Sequence, residues 1–320
     1  MQKKPLGNSS LNVAPLAFGG NVFGWTADEQ RSFELLDTFV GAGFNLIDTA
    51  NVYSAWIPGH QGGESETVIG QWLKRGSVTR DNVVIVTKVG ISMEDSFNMD
   101  KCSLSRDSIM KHVDDSLRRL QTDYIDLYLS HVDDANTPLE ETLAAHDALV
   151  RAGKVRYIGA SNYKKDRLEE ALKVSADNNL ASYVALQPHY NLYHREDYEG
   201  ELQDFCVSNN IGVFTYFSLA SGFLTGKYRQ ESDLAGSSRG ELVKGMLNAR
   251  GYRILAALDH VAGELNAKPS QVALAWLLAQ PGIVAPIASA TTLAQLVEIM
   301  GCASLELSAA QLDVLNASGK

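Results

Sequence analysis

Val83-Val84-Ile85-Val86-Thr87-Lys88 is a run of four β-branched apolar residues that ends in a threonine and a lysine. Four such residues without polar alternation suit a strand buried on both faces, as in a parallel sheet. Similar runs recur along the chain: Pro15 to Phe18, Phe44 to Ile47, Ile125 to Leu129, Val155 to Gly159, Tyr183 to Leu186, Gly212 to Tyr216, and Ile283 to Ile287. Together with the first they make eight. Helical patterns lie between them. In Ser105 to Leu120, Ile109, Val113, Leu117 and Leu120 fall on one face. Glu141 to Val150 and Leu168 to Val174 read the same way, Glu64 to Leu73 starts from a glycine turn, and Pro269 and Ser270 open an Ala- and Leu-rich helix. Eight strand–helix alternations predict a closed (β/α)8 TIM barrel. An open doubly wound sheet would carry a G-x-G-x-x-G turn after an early strand, and Gly19-Gly20-Asn21-Val22-Phe23-Gly24 has the wrong spacing for it.

Two segments stand outside the alternation. Pro5 to Val13 reads as an N-terminal β-hairpin around Gly7-Asn8-Ser9-Ser10, suited to plugging the barrel floor. Leu219 to Gly251 reads as a long connection after the seventh strand, and long loops in compact domains are usually functional. With no linker or low-complexity tract, residues 1–320 are expected to form one domain. The apolar fraction of 45% and charged fraction of 21% exclude a disordered, collagen-like or coiled-coil chain. A net charge of −10 argues against nucleic acid or an anionic membrane as partner. Cys102, Cys206 and Cys302 are odd in number and widely spaced, so neither a disulfide framework nor a metal site is expected, and a reducing, cytoplasmic setting fits. The N-terminus lacks a secretory apolar run, and no stretch is long and apolar enough to span a bilayer.

Active sites of such barrels lie at the carboxyl ends of the strands. The second strand runs into Asp48-Thr49-Ala50-Asn51-Val52-Tyr53, the third into Thr87-Lys88, and the fourth into Ser130-His131. A desolvated lysine needs an anion, and Asp48 lies one strand over. A cation near a phenol is expected to lower its pKa, so that Tyr53 donates a proton near neutrality while His131 orients a carbonyl. Singly, each residue has an ordinary reading: Asp48 as a turn cap, Lys88 as a rim lysine, Tyr53 and His131 as packed side chains. Their grouping at three neighbouring strand ends favours chemistry.

These residues resemble a family. Asp48 to Ser54 followed by Gly63-Glu64-Ser65-Glu66 is similar to the D-T-A-x-x-Y and G-x-S-E motifs of the aldo-keto reductases. Val86-Thr87-Lys88 and Ser130-His131 match that family's lysine and histidine strands. Gly153 to Asn162 resembles its fifth-strand signature, Leu219 to Tyr228 its cofactor-belt loop, and Pro286 to Leu296 its eighth-strand adenosine segment. The likeness runs in order from about Leu6 to about Leu315.

The resemblance implies NADP(H)-dependent reduction of a small-molecule aldehyde or ketone, with Tyr53 as general acid and Asp48, Lys88 and His131 completing a catalytic tetrad. It implies that Ser161, Asn162 and Gln187 hold the nicotinamide amide and that Tyr216 stacks on the ring. Leu219, Gly222, Leu224, Gly226 and Lys227 would line the pyrophosphate, Ser289, Thr291 and Gln295 would sit near the adenosine, and Ser218 would also bind the cofactor. Two departures stand out. Tyr216-Phe217-Ser218-Leu219 replaces the S-P-L that many relatives carry after the stacking aromatic. Thr291 stands where many place a cation for the 2′-phosphate. Lys227, Arg229, Arg239 and Lys244 of the long loop are the cations available to fold over the cofactor instead. Phe23, Trp25, Trp56, Met93 and Phe97 are the apolar candidates for the substrate pocket. Two other readings use the same residues: an alcohol or sugar dehydrogenase, and a redox-sensing regulatory partner like the channel β-subunits of this fold. Substrate and oligomeric state stay open.

Overall fold

The eight runs pair side by side because strands this buried must satisfy their backbone N–H and C=O groups on one another. The computed structural model describes residues 1–92, 101–237 and 239–319. A short antiparallel hairpin, β1 (Lys4–Pro5) and β2 (Asn12–Val13), precedes the barrel. The barrel strands follow: β3 (Ala17–Gly19), β4 (Leu46–Asp48), β5 (Val84–Val89), β6 (Ile125–Ser130), β7 (Val155–Ser161), β8 (Tyr183–Gln187), β9 (Gly212–Thr215) and β10 (Ile283–Ala288). They pair in parallel in sequence order, and β10 closes on β3 with Ile287 opposite Ala17. Met93 and Phe97, two of the expected pocket residues, lie outside the described residues.

The outer layer is helical: α1 (Glu29–Gly41), α2 (Glu64–Lys74), α3 (Arg106–Leu120), α4 (Leu139–Arg151), α5 (Lys165–Asp177) and α6 (Glu201–Ser208) alternate with β3 to β9. Local sequence sets their starts. Asp28 Oδ1 accepts the Arg31 N–H at 2.8 Å before α1, and Ser105 caps α3 in the same way. Gly63, with φ +86°, turns the chain into α2. The connection after β9 is more ordered than an irregular loop. It holds a 3₁₀ turn at Ala220–Thr225, another at Glu231–Leu234, and the short helix α7 (Gly240–Lys244), before α8 (Ala249–Leu265) begins. Helices α9 (Pro269–Leu278), α10 (Leu293–Met300) and α11 (Ala309–Ser318) complete the chain. Among the described residues no helix is long and apolar enough to cross a membrane.

Strand side chains alternate with period two, so each strand sends one row into the barrel and one toward the helices. Ala17, Leu46, Val84, Val86, Leu127, Leu129, Ala185 and Phe214 fill the interior. Phe18, Ile47, Ile85, Tyr128 and Leu186 face the helical layer. The hairpin joins the inner core through Leu6, Leu11 and Val13, as a plug on the floor. Gly7 makes this possible. Its φ is +56°, and a Cβ there would stand 2.1 Å from Val184 O and 2.6 Å from Gly212 N. Those are backbone atoms of β8 and β9, which cannot step aside. Gly7→Ala is therefore expected to lower the unfolding free energy by about 2 kcal/mol or more, read by urea denaturation. An unchanged midpoint would mean that the hairpin does not sit this close to the floor.

Candidate active site

The inward rows that fill the barrel with apolar groups turn polar at its carboxyl-terminal end. Leu46 is followed by Asp48, Val84 and Val86 by Lys88, Leu127 and Leu129 by His131, Ala185 by Gln187, and Phe214 by Tyr216. Ser161 and Ser289 end their rows in the same layer. The period of two, continued past the core, thus delivers a ring of polar side chains to one mouth of the barrel. Above that ring lies a cavity of about 860 Å³.

Asp48, Lys88 and Tyr53 form one hydrogen-bonded unit. Lys88 is 0% exposed, and its three ammonium protons meet three acceptors: Asp48 Oδ1 at 2.8 Å, Thr49 O at 2.7 Å and Tyr53 Oη at 3.0 Å. Asp48 Oδ1 also accepts from Gln187 Nε2 at 2.8 Å, and its Oδ2 faces the Tyr53 hydroxyl at 3.1 Å. Behind the ammonium, Thr87 points outward and donates to Glu66 Oε1 at 2.6 Å, while Arg119 Nε pairs with Glu66 Oε2 at 2.6 Å. Sequence reasoning assigned Glu66 to a motif but gave it no role. It anchors the strand residue next to Lys88.

The electrostatics depart from the expectation in one respect. Burial pushes the Tyr53 phenol well above its usual range, and the Asp48 carboxylate pushes the same way. The lowering expected from a neighbouring cation is overcome because the phenolate would form next to an anion in a water-poor site. Burial also draws Lys88 down, against the pull of Asp48. His131 is held well below the ordinary histidine range by burial and then by the Lys88 charge, so its imidazole is neutral at physiological pH. Its ring centroid lies 6.4 Å from that of Tyr53, and its Nδ1 is buried without a partner among the described residues.

Across the cavity, the Tyr216 hydroxyl donates to Asn162 Oδ1 at 2.7 Å, and Asn162 Nδ2 donates to His131 O at 3.0 Å and to Ser161 Oγ at 3.1 Å. Ser161 Oγ donates in turn to Gln187 O at 2.9 Å. The loop beyond follows a strained path: Phe217, Ala220, Ser221 and Gly222 all have φ between +47° and +94°. Each non-glycine residue held so costs about 1–3 kcal/mol, and such strain gathers at functional sites. Ser218, Leu219, Gly222, Lys227, Ser289, Thr291 and Gln295 line the cavity. Leu224 and Gly226 do not: Leu224 is buried in the core, and Gly226 is the left-handed cap of the 3₁₀ turn. Thr291 Oγ1 and N both donate to Gln295 Oε1.

The long connection arches over this end. Ala235, Gly236, Ser237 and Arg239 all line the cavity. The Asn21 amide sits with its oxygen 3.0 Å from Arg239 Nη2 and its nitrogen 2.7 Å from Ser289 Oγ, the orientation that matches donors to acceptors. Arg239 is the loop cation that reaches inward with Lys227, whereas Arg229 is paired with Asp259 at 2.8 Å on the outside. At the opposite wall, Trp56 lines the cavity with Val52, Tyr53 and Ile91. Phe23 does not. It is 0% exposed and stacks on Phe18 at 5.2 Å. Trp25 stands behind the wall, edge-on to Trp56 at 5.8 Å.

The sequence model of the Aldo/keto reductase family matches residues 15–320. The chain is 34% identical to an uncharacterized oxidoreductase of Bacillus subtilis, over 99% of this chain and 95% of the relative. It is 33% identical to the aldo-keto reductase AFTS1 of Alternaria alternata, over 95% and 88% of the two chains. A probable voltage-gated potassium channel subunit beta of rice is 33% identical over 94% and 90%. The chain belongs to the aldo/keto reductase family, whose members act on carbonyl compounds with NAD(P)H, and it is an oxidoreductase.

Lys88→Met leaves the Asp48 carboxylate buried without its counter-charge. The unfolding free energy is expected to fall by about 3–5 kcal/mol in urea titrations. Adding Asp48→Asn should recover a large part of the loss, because the stranded charge goes with its partner. A double variant no more stable than Lys88→Met would show that the pair is not coupled.

Proposed function

We propose that this oxidoreductase reduces an aldehyde or ketone to the alcohol with NADPH, within one domain of residues 1–320, and that Tyr53 is the general acid. The observation that carries this reading is the Tyr53 hydroxyl at the cavity wall, held between Lys88 Nζ at 3.0 Å and Asp48 Oδ2 at 3.1 Å. A phenol kept protonated by burial is a reserve of one proton that no working pH removes. It passes to the carbonyl oxygen as that oxygen takes on alkoxide charge. Lys88, already donating to the phenol oxygen, stabilises that phenolate. His131, neutral, offers a ring N–H to the same carbonyl oxygen and fixes its position without competing as an acid.

The residues on the far side of the cavity suit a dinucleotide. Bound there, the nicotinamide supplies the hydride. Ser161, Asn162 and Gln187 are assigned to its carboxamide, Gln187 through its oxygen because its nitrogen is spent on Asp48. Tyr216 is assigned as the flat surface beneath the ring. Ser218, Leu219, Gly222 and Lys227 take the pyrophosphate, and Ser289, Thr291 and Gln295 the adenosine. Arg239 and Asn21 join this end. Held by Asn21 at the cavity wall, the Arg239 guanidinium is assigned to offer the cofactor's phosphates the charge that position 291 lacks, which favours NADPH over NADH.

Tyr53→Phe removes the proton and little else. Turnover should fall about 10²–10⁴-fold, with NADPH affinity nearly intact by fluorescence titration. Turnover close to the parent's would remove Tyr53 from the role of acid.

Cofactor choice is tested at position 291. The ratio of kcat/KM for NADPH to that for NADH should exceed one in the parent, and Thr291→Arg should widen it about 10- to 100-fold through one charge-assisted hydrogen bond. A parent that prefers NADH would displace the 2′-phosphate from this end. An unchanged ratio in the variant would mean that residue 291 does not face it.

A further inference from the structure

Tyr216 has two ring faces, and only one can be turned to the cavity. The other is covered by His189, whose ring lies parallel to within 21° at a centroid distance of 5.2 Å. His189 is not among the residues that line the cavity, so it backs the tyrosine from behind. The arrangement continues outward. His194 stacks at a tilt on His189 at 4.6 Å, making a column of three rings that ends on Tyr216. Phe217 closes the side of the column, 5.3 Å from Tyr216 and 5.5 Å from His189.

The column is pinned at several points. Tyr216 N donates to Pro188 O at 3.1 Å, which ties the chain after β9 to the chain after β8. Asn191, 0% exposed, accepts the Tyr193 and His194 N–H groups on Oδ1 at 2.9 Å each. Its Nδ2 donates to Phe217 O at 2.9 Å and stands 3.5 Å from His189 Nε2. Burial, with His194 beside it, pushes His189 down to about 4, so the ring is neutral and free of a charged hydration shell in the working range. The tyrosine tip is held by Asn162, and Asn162 by the carbonyl of His131.

We propose that His189 is a positioning residue for the reaction: stacked on the rear face of Tyr216, it holds that ring as a rigid platform for the nicotinamide. The inference rests on the assignment of Tyr216 as the surface beneath the nicotinamide. Without its backing the tyrosine ring can tilt away from the cavity, and the cofactor then binds with part of its stacking energy spent on restoring the ring. His189 touches neither cofactor nor carbonyl, so the effect falls on NADPH and not on the KM of the carbonyl substrate.

Three variants test this, with NADPH affinity measured by fluorescence titration and kcat and KM by steady-state turnover. His189→Leu fills the space without an aromatic face. It should weaken NADPH binding about 3- to 10-fold, the worth of one aromatic pair, with an unchanged KM for the carbonyl. His189→Phe restores a stacking ring and should restore NADPH affinity. Tyr216→Ala serves as the control for the underlying assignment and should weaken NADPH at least as much. If Tyr216→Ala weakens NADPH but His189→Leu does not, the positioning role of His189 is overturned and the assignment of Tyr216 stands. If Tyr216→Ala leaves NADPH affinity unchanged, the assignment itself fails and the inference with it. If the leucine and phenylalanine variants lose affinity equally, stacking is not what His189 provides. A variant that merely folds less well loses kcat and melting temperature with an unchanged NADPH dissociation constant, and that result also overturns the proposal.

Discussion

A lysine ammonium with no exposure to water sits at the end of an apolar strand, and its three protons find three oxygens. Removing a charge from water costs several kcal/mol, so Lys88 is tolerated only because all its donors are satisfied and a full anion stands among the acceptors. That requirement reaches through the fold. Asp48 must be the last residue of β4, opposite Val86, for its carboxylate to stand one step from Lys88. The chain must then fold back within five residues so that Tyr53 reaches the same ammonium. The pair that makes the buried lysine tolerable is also the pair that holds the Tyr53 hydroxyl at the cavity wall.

The two sides of the cavity are built differently. The side with Asp48, Lys88 and His131 stands on strand ends, backed by the barrel core and by the Glu66–Arg119 pair. Such groups have little freedom to reorganise, which suits charge development in a reaction. The other side is made from the connection after β9, where a run of left-handed residues carries strain and a 3₁₀ turn replaces regular structure. That segment returns across the mouth and meets β3 and β10 through Arg239, Asn21 and Ser289. Under the roles proposed above, the rigid end would keep the acid fixed while the looped end admits and releases the cofactor.

Strand existence was legible because a strand buried on both faces is apolar along most of its length. The runs at Val83 to Val86 and Ile125 to Leu129 announced β5 and β6, and the polar residues that ended them announced the site. The hairpin was readable from its glycine–asparagine turn, although only the structure shows that Gly7 admits no side chain. The aromatic candidates were less tractable. Phe23 and Trp56 are both large apolar residues near strand ends, yet one stacks into the core and the other walls the cavity. Their residue type does not separate them, because the choice rests on the partners that the fold brings to each, Phe18 for one and the barrel mouth for the other. The direction of the Tyr53 shift was misjudged for a similar reason. A neighbouring cation is visible in sequence, whereas the depth of burial that outweighs it is not.

The sequence by itself determined the alternation of strands and helices, the closure at eight, and the identity of the polar residues that end the inward rows, because side-chain period and burial are local consequences of residue type. It could not decide which cation of the long connection reaches the cavity. Arg229 and Arg239 stand ten residues apart in the same loop, and one pairs with Asp259 outside while the other turns inward to Asn21. Nor could it place His189 behind Tyr216, since those residues come from different strand ends. These are contacts between segments far apart in the chain, set by the curvature of a closed barrel, and only the tertiary structure decided them.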